Sequence, residues 1–175
     1  SVQEILARNK QASGGNAWDA VGIMRMKAHA ETSGLSGSLD SVTDVKTGRF
    51  ADSFVLGTFK GANGFDGKTV WEVDTSGQVV IQDSADQRES ATNEAFRRSL
   101  SYWYPDRMPA ALGWIGEKSV GQRTLLGVRA VPKGGRPFDL WFDAGTFLLA
   151  QYEERNAHEL RTTLLSDYRL VSGLM

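Results

Sequence analysis

The apolar positions change period along this chain. From Val2 to Ala12 they follow helical spacing, with Ile5, Leu6 and Asn9 after Val2, and Ser13-Gly14-Gly15-Asn16 stops the pattern. Ala17 to Ala20 adds one further helical turn. From Ile23 to Ala30 the pattern alternates. Met24, Met26, Ala28 and Ala30 fall on one face, and Arg25, Lys27 and His29 on the other, which is the signature of a half-buried strand. Leu35–Thr47 and Arg49–Leu56 are further strands, joined at Thr47-Gly48; Phe50, Phe54 and Leu56 share a face. A short glycine-rich run from Phe59 to Phe65 leads into Asp66-Gly67, a two-residue hairpin signal. Val70–Asp74 and Gln78–Gln82 follow, separated by Thr75-Ser76-Gly77.

A helix is predicted from Ser84 to about Tyr104. Ser84 with Gln87 forms a capping box, and Ala85, Ala91, Ala95, Phe96 and Leu100 supply a thin apolar stripe. Pro105 ends it. The remainder reads as a meander of five strands: Leu112–Val120, Thr124–Val131, Pro137–Phe142, Phe147–Glu154 and Glu159–Val171. Turns fall at Gly121-Gln122, Lys133-Gly134-Gly135, Ala144-Gly145 and Asn156-Ala157. Nearly every connection between strands is too short for a parallel crossover, so the sheet is antiparallel. The expected fold is mainly β (α+β): a strongly curved, unclosed half-barrel of about ten or eleven strands. An N-terminal helix precedes it and a central helix lies against its concave face. Residues 1–175 read as a single domain without an internal linker.

Composition narrows the function classes. Net charge is −1, with 20 basic and 21 acidic residues interspersed, so the basic excess of a nucleic-acid surface is missing. The absence of cysteine removes disulfides, thiolate nucleophiles and thiolate metal sites. No apolar run is long enough to span a bilayer as a helix. The opening at Ser1 fits a mature chain whose leader has been removed.

Candidate chemistry is thin. His29 and His158 are the only histidines, in no zinc-binding spacing, and no GxSxG elbow is present. Val73-Asp74-Thr75-Ser76-Gly77 looks like an aspartic-protease signature. It has one residue too many before glycine and no second copy, and it sits where a hairpin turn is due. Glu153 and Glu154 are neighbours on a strand and point to opposite faces. Lys133 to Arg136 matches no phosphate-loop spacing. No catalytic residue, metal site or cofactor is expected.

Several stretches carry a resemblance. ARNKQASGGNAWDAV (7–21), GANGFDGKTVWEVD (61–74), PFDLWFDAGTFLLAQYEE (137–154) and TTLLSDYRLVSG (162–173) are similar to bacterial outer-membrane lipoprotein-sorting proteins and their relatives. The opening, SYWYPDRMPA (101–110) and the closing strand together resemble the N-terminal region of secreted bacterial aspartyl-protease-family proteins, whose protease domain lies downstream. The first resemblance implies an unclosed barrel with a helical lid over an apolar cavity, in the periplasm. Those carriers lock the lid with an arginine, for which Arg25 and Arg49 are the candidates here.

The expected function is a non-catalytic periplasmic or secreted domain binding an acyl chain, lipid, lipoprotein or other apolar ligand between sheet and helix. Transient contact with a membrane or lipoprotein would accompany it. The lining residues would be Met24, Met26, Phe50, Phe54, Trp71, Phe96, Leu100, Trp103, Trp114, Phe142 and Tyr152. The alternative is an accessory module of a secreted, retropepsin-like aspartyl protease, acting through contacts with a downstream protease domain.

Overall fold

The computed structural model describes residues 1–156 and 158–175. Among the described residues eleven strands form two unclosed antiparallel sheets, one of the first six strands and one of the last five, and within each sheet every strand pairs with its neighbours in chain order. The fold is mainly β, as the hairpin spacing requires. The strands before and after the central helix fall in different sheets. Two compact units result: Gly22–Leu100, and Ser1–Val21 with Ser101–Met175.

The first unit is a meander of β1 (Ile23–Thr32), β2 (Leu35–Asp44), β3 (Phe50–Leu56), β4 (Phe59–Phe65), β5 (Val70–Val73) and β6 (Val79–Ile81), followed by helix α2 (Ala85–Arg98). Three of its turns are organised by an aspartate, the third by Asp74 ahead of Thr75-Ser76-Gly77. Asp44 accepts from the Lys46 amide and the Thr47 hydroxyl, and Asp66 from the amides of Lys68 and Thr69. Asp44 therefore ends β2 three residues before Thr47. The α2 start is the expected capping box: the Ser84 hydroxyl accepts from the Gln87 amide and donates to its side-chain carbonyl.

The α2 end differs from expectation. The helix stops at Arg98, not near Tyr104. The Ser99 amide closes on the Ala95 carbonyl, and Leu100 takes a left-handed conformation at φ 53° while its amide bonds the Arg97 carbonyl. That geometry is a helix C-terminus usually given to glycine. Neither proline nor glycine marks it, so nothing in the apolar stripe announces the stop. The helix also passes close to the β2–β3 turn. Gly48 has φ +77°, and a Cβ there would lie 2.4 Å from the Ala95 carbonyl oxygen, so only glycine satisfies both demands.

The second unit opens with helix α1 (Val2–Ala12), capped by the Ser1 hydroxyl on the Glu4 amide and braced by a Glu4–Arg8 pair. A 3₁₀ turn over Gly15–Ala20 follows. The unit then resumes with β7 (Ala110–Val120), β8 (Arg123–Pro132), β9 (Phe138–Asp143), β10 (Leu149–Arg155) and β11 (Leu160–Leu164). Of the Asn156-Ala157 turn, Ala157 lies outside the described residues. The closing strand is shorter than the expected Glu159–Val171. Its ladder with β10 ends at Leu164, and only single bonds follow, from the Leu165 amide to the Ala150 carbonyl and from the Tyr168 hydroxyl to the Leu149 carbonyl. Asp167, at φ 54°, breaks the alternation that the sequence suggested.

Buried Asn9 ties α1 to this unit. Its amide nitrogen donates to the Phe147 carbonyl at 2.7 Å, and its carbonyl accepts from the Trp103 indole at 2.8 Å. Trp18 and Tyr102 each meet Trp103 edge-on, with centroids 5.9 and 5.3 Å apart.

Candidate functional site

The register of the six-stranded sheet sorts the predicted lining residues by face. Four rows cross the side on which α2 sits. The first runs Met24, Thr43, Phe50, Phe65, Val70, and the second Met26, Ser41, Asp52, Asn63, Glu72, Val80. The third runs Ala28, Leu39, Phe54, Gly61, and the fourth Ala30, Gly37, Leu56, Phe59. The third and fourth rows carry only apolar side chains or glycine. Phe54 lies over Gly61, where an added Cβ would come 2.7 Å from the ring. Phe59 stays exposed, as do Met24 and Met26 at the sheet edge.

The second row is polar because α2 reaches down to it. Arg98 donates twice to Asp52, at 2.6 and 2.9 Å, and also to the hydroxyls of Ser41 and Thr43. The same guanidinium bonds Glu94 one turn back at 2.6 Å and stacks 4.1 Å above the Phe50 ring. Arg97 adds a second cation to Glu94. Burial works to raise the Glu94 pKa, but the charges and hydrogen bonds of Arg97 and Arg98 outweigh it, and the carboxyl is held below its ordinary range. Arg98 is thus the arginine that fastens helix to sheet. Sequence reasoning pointed to Arg25 and Arg49 instead; Arg25 falls on the opposite, exposed face and Arg49 lies exposed just after the β2–β3 turn. The legible signal was Glu94 four residues before a basic residue near a helix end.

The predicted lining set therefore divides. Met24, Met26, Phe50 and Phe54 share one face of the first sheet. Trp71 does not join them: it pairs with Gly64 and Ile81 on the reverse face, where its ring covers Gly64. Phe96 is fully buried. Leu100 lies beyond the helix that was to carry it. Trp103 belongs to the α1 aromatic cluster. In the second sheet Trp114, Val128, Leu140 and Tyr152 form one row, with Phe142 on the same face. Phe142, Val128 and Leu140 are fully buried there, whereas Trp114 is exposed.

The reverse face of that sheet holds Trp141 beneath the Lys118 ammonium at 4.0 Å. Glu153 accepts from Lys118, the Trp141 indole and Gln151. These charges are consumed among themselves. The same holds for the aspartic-protease look-alike. Asp74 accepts from the Ser76 hydroxyl and the amides of Ser76 and Gln78, and these hold its pKa low. It acts as the anchor of its own hairpin turn. His29 lies 3.1 Å from Glu31 on an exposed strand face, and His158 is exposed. Among the described residues no group of three or more histidine or acidic side chains could hold a metal ion, and no helix is long and apolar enough to cross a membrane.

No protein-family model and no curated protein sequence matches this chain. Solved structures do. An outer membrane lipoprotein-sorting protein domain from Vibrio parahaemolyticus superposes over 98% of this chain and 80% of its own, with TM-score 0.56 and 14% identity. A DUF1329 family protein from Desulfovibrio piger superposes over 99% and 80%, with TM-score 0.54 and 13% identity. At these identities the shared property is the fold.

Proposed function

Proceeding from a fold shared with an outer membrane lipoprotein-sorting domain, we propose that this chain is a non-catalytic periplasmic domain that holds an acyl chain or comparable apolar ligand. The ligand lies on the α2-bearing face of the six-stranded sheet, along the Ala28–Gly61 and Ala30–Phe59 rows. The observation that carries this reading is that these two rows have no polar side chain, while the adjoining row is occupied by Arg98 and its partners. An acyl chain on Leu39, Phe54, Leu56 and Phe59 would gain about 0.8 kcal/mol for each CH₂ removed from water. Eight such groups would supply about 6 kcal/mol, which sets an upper limit on affinity near a Kd of about 40 μM before the cost of ordering the ligand. The carboxylates engaged in turns and ion pairs support a binding role over a catalytic one.

The test is titration of delipidated protein with an environment-sensitive fluorescent fatty acid. Saturable binding is expected, and Phe54→Asp should weaken it by about 10-fold or more, since a carboxylate would then sit in the apolar row. Phe59→Asp is the gentler variant, because Phe59 is 52% exposed within the proposed row and its replacement should leave folding intact. Val79→Asp, on the reverse face, should bind like the parent. Absence of saturable binding, or equal loss in all three variants, would overturn the reading. Native mass spectrometry of freshly purified protein, with lipid extraction of the same sample, would identify any acyl species already bound.

A further inference from the structure

The last strand of the six-stranded sheet is an open edge built for pairing. Strand β6 is three residues long, Val79-Val80-Ile81, and these are 67%, 42% and 55% exposed. Its bonds to β5 follow a fixed parity. The Gln82 amide donates to the Val70 carbonyl and the Asp74 amide to the Gln78 carbonyl, so in the alternating antiparallel pattern Val80 completes the inward pairs. The N–H and C=O groups of Val79 and Ile81 therefore point outward, away from the sheet.

Sheet edges are ordinarily guarded by charge, proline, a bulge or the shortness of the strand, and shortness is the one guard that β6 has. The other edges here follow that rule: β1 carries Arg25, Lys27, His29 and Glu31, β7 carries Glu117 and Lys118, and β11 carries Arg161. The segment Thr75–Gln82 contains neither a charge nor a proline. Glutamines flank the three β-branched residues on both sides. Behind the edge, on the reverse face, Ile81 pairs with Trp71 and Val79 with Val73, so an apolar patch runs up to the open strand.

We propose that β6 is a self-association edge, pairing antiparallel with β6 of a second copy about a two-fold axis through Val80. In this register Val79 of each copy exchanges both outward bonds with Ile81 of the other. Val80 then faces Val80 as the close, non-hydrogen-bonded pair. The two reverse-face patches become one stripe spanning both molecules. A second copy fits because the edge is self-complementary: the outward groups of Val79 and Ile81 lie symmetrically about Val80, and no charge on Thr75–Gln82 opposes the pairing. The pairing is short, well under the ~1,200 Å² of a stable interface, so the dimer is weak and concentration-dependent.

Sedimentation equilibrium of the full chain should show the weight-average mass rising toward dimer as concentration climbs to about 1 mM. Val80→Lys sets two ammonium groups opposite each other across the axis and should keep the protein monomeric over that range. Because the chain has no cysteine, Val80→Cys gives an independent readout. Under mild oxidation it should cross-link at least ~10-fold faster than Leu164→Cys, which is 74% exposed on the β11 edge. A parent protein that stays monomeric to about 1 mM, or cysteine variants that cross-link at equal rates, would overturn the proposal.

Discussion

Replacing Arg98 by methionine should lower the unfolding free energy by about 2–4 kcal/mol. The side chain is largely buried, and its removal leaves Asp52 with only the Ser41 hydroxyl beside it in the described contacts. An uncompensated carboxylate under a helix costs more than the lost hydrogen bonds, because its desolvation is no longer offset. The double variant Arg98→Met with Asp52→Leu should recover much of that loss, and urea melts of the four proteins give the coupling energy. A cost below ~0.5 kcal/mol for Arg98→Met would mean the network is solvated and α2 is held by its apolar face alone. The same network sets a pH dependence. Glu94 has a folded pKa held below its unfolded value, so its contribution is complete above about pH 4.5 and is lost as the pH falls through the depressed folded value. In Arg98→Met that acid-side slope should flatten. Amide exchange of α2, measured at neutral pH, should accelerate in the variant while β8 and β9 keep their protection.

Asn9→Leu is expected to be comparably severe, at about 2–4 kcal/mol. Asn9 is 1% exposed and is matched by one donor and one acceptor from distant parts of the chain. Leucine keeps the volume but leaves the Trp103 indole N–H and the Phe147 carbonyl without this partner. Asn9→Asp discriminates further. It preserves the acceptor for Trp103 and sets a carboxylate oxygen against the Phe147 carbonyl, so it should be at least as damaging near neutral pH. Protonation should relieve part of that damage toward pH 4. Thermal melts at pH 7 and pH 4.5 separate the two variants. If Asn9→Asp melts like the parent at pH 7, the bond from Asn9 to the Phe147 carbonyl adds nothing to stability and only the Trp103 contact matters.

Most of the fold was legible because hairpins are local. Alternation in Ile23–Ala30, the Asp66-Gly67 turn and the Ser84/Gln87 box each use a few adjacent residues, and the structure realises them within a residue or two. The errors fall where a distant contact overrides the local pattern. Leu100 adopts the left-handed conformation without a glycine to announce it, and Asp167 breaks a strand whose alternation continues on paper. The unclosed antiparallel architecture was legible in so many short connections, and the strands before and after α2 fall in separate sheets.

The candidate site was half legible, for a related reason. Period-two reasoning placed Met24 and Met26 together and Phe50 with Phe54, because each pair lies within one strand. It could not phase β5 against β3, since that depends on the β4 register, and so Trp71 was assigned to the wrong side. Trp103 was misread because its partners, Asn9 and Trp18, are far away in sequence. Arg98 was missed because its role is fixed by Asp52, Ser41 and Thr43, three residues on other strands. The resemblance to lipoprotein-sorting proteins, by contrast, was carried by segments spread along the chain, and the solved structures bear out the fold it implied.

The unit that contains α1 is discontinuous: residues 1–21 close on residues 101–175, with the whole six-stranded unit between them. This has a consequence for synthesis from the N-terminus. Asn9 must wait for Trp103, 94 positions later, and for Phe147, 138 positions later. By the time the second of these emerges, the intervening meander and its helix are complete and able to pair locally. Helix α1 is therefore made before the six-stranded unit but seated after it, and until then its apolar side, Ile5 and Leu6, is an exposed stretch that a chaperone could hold.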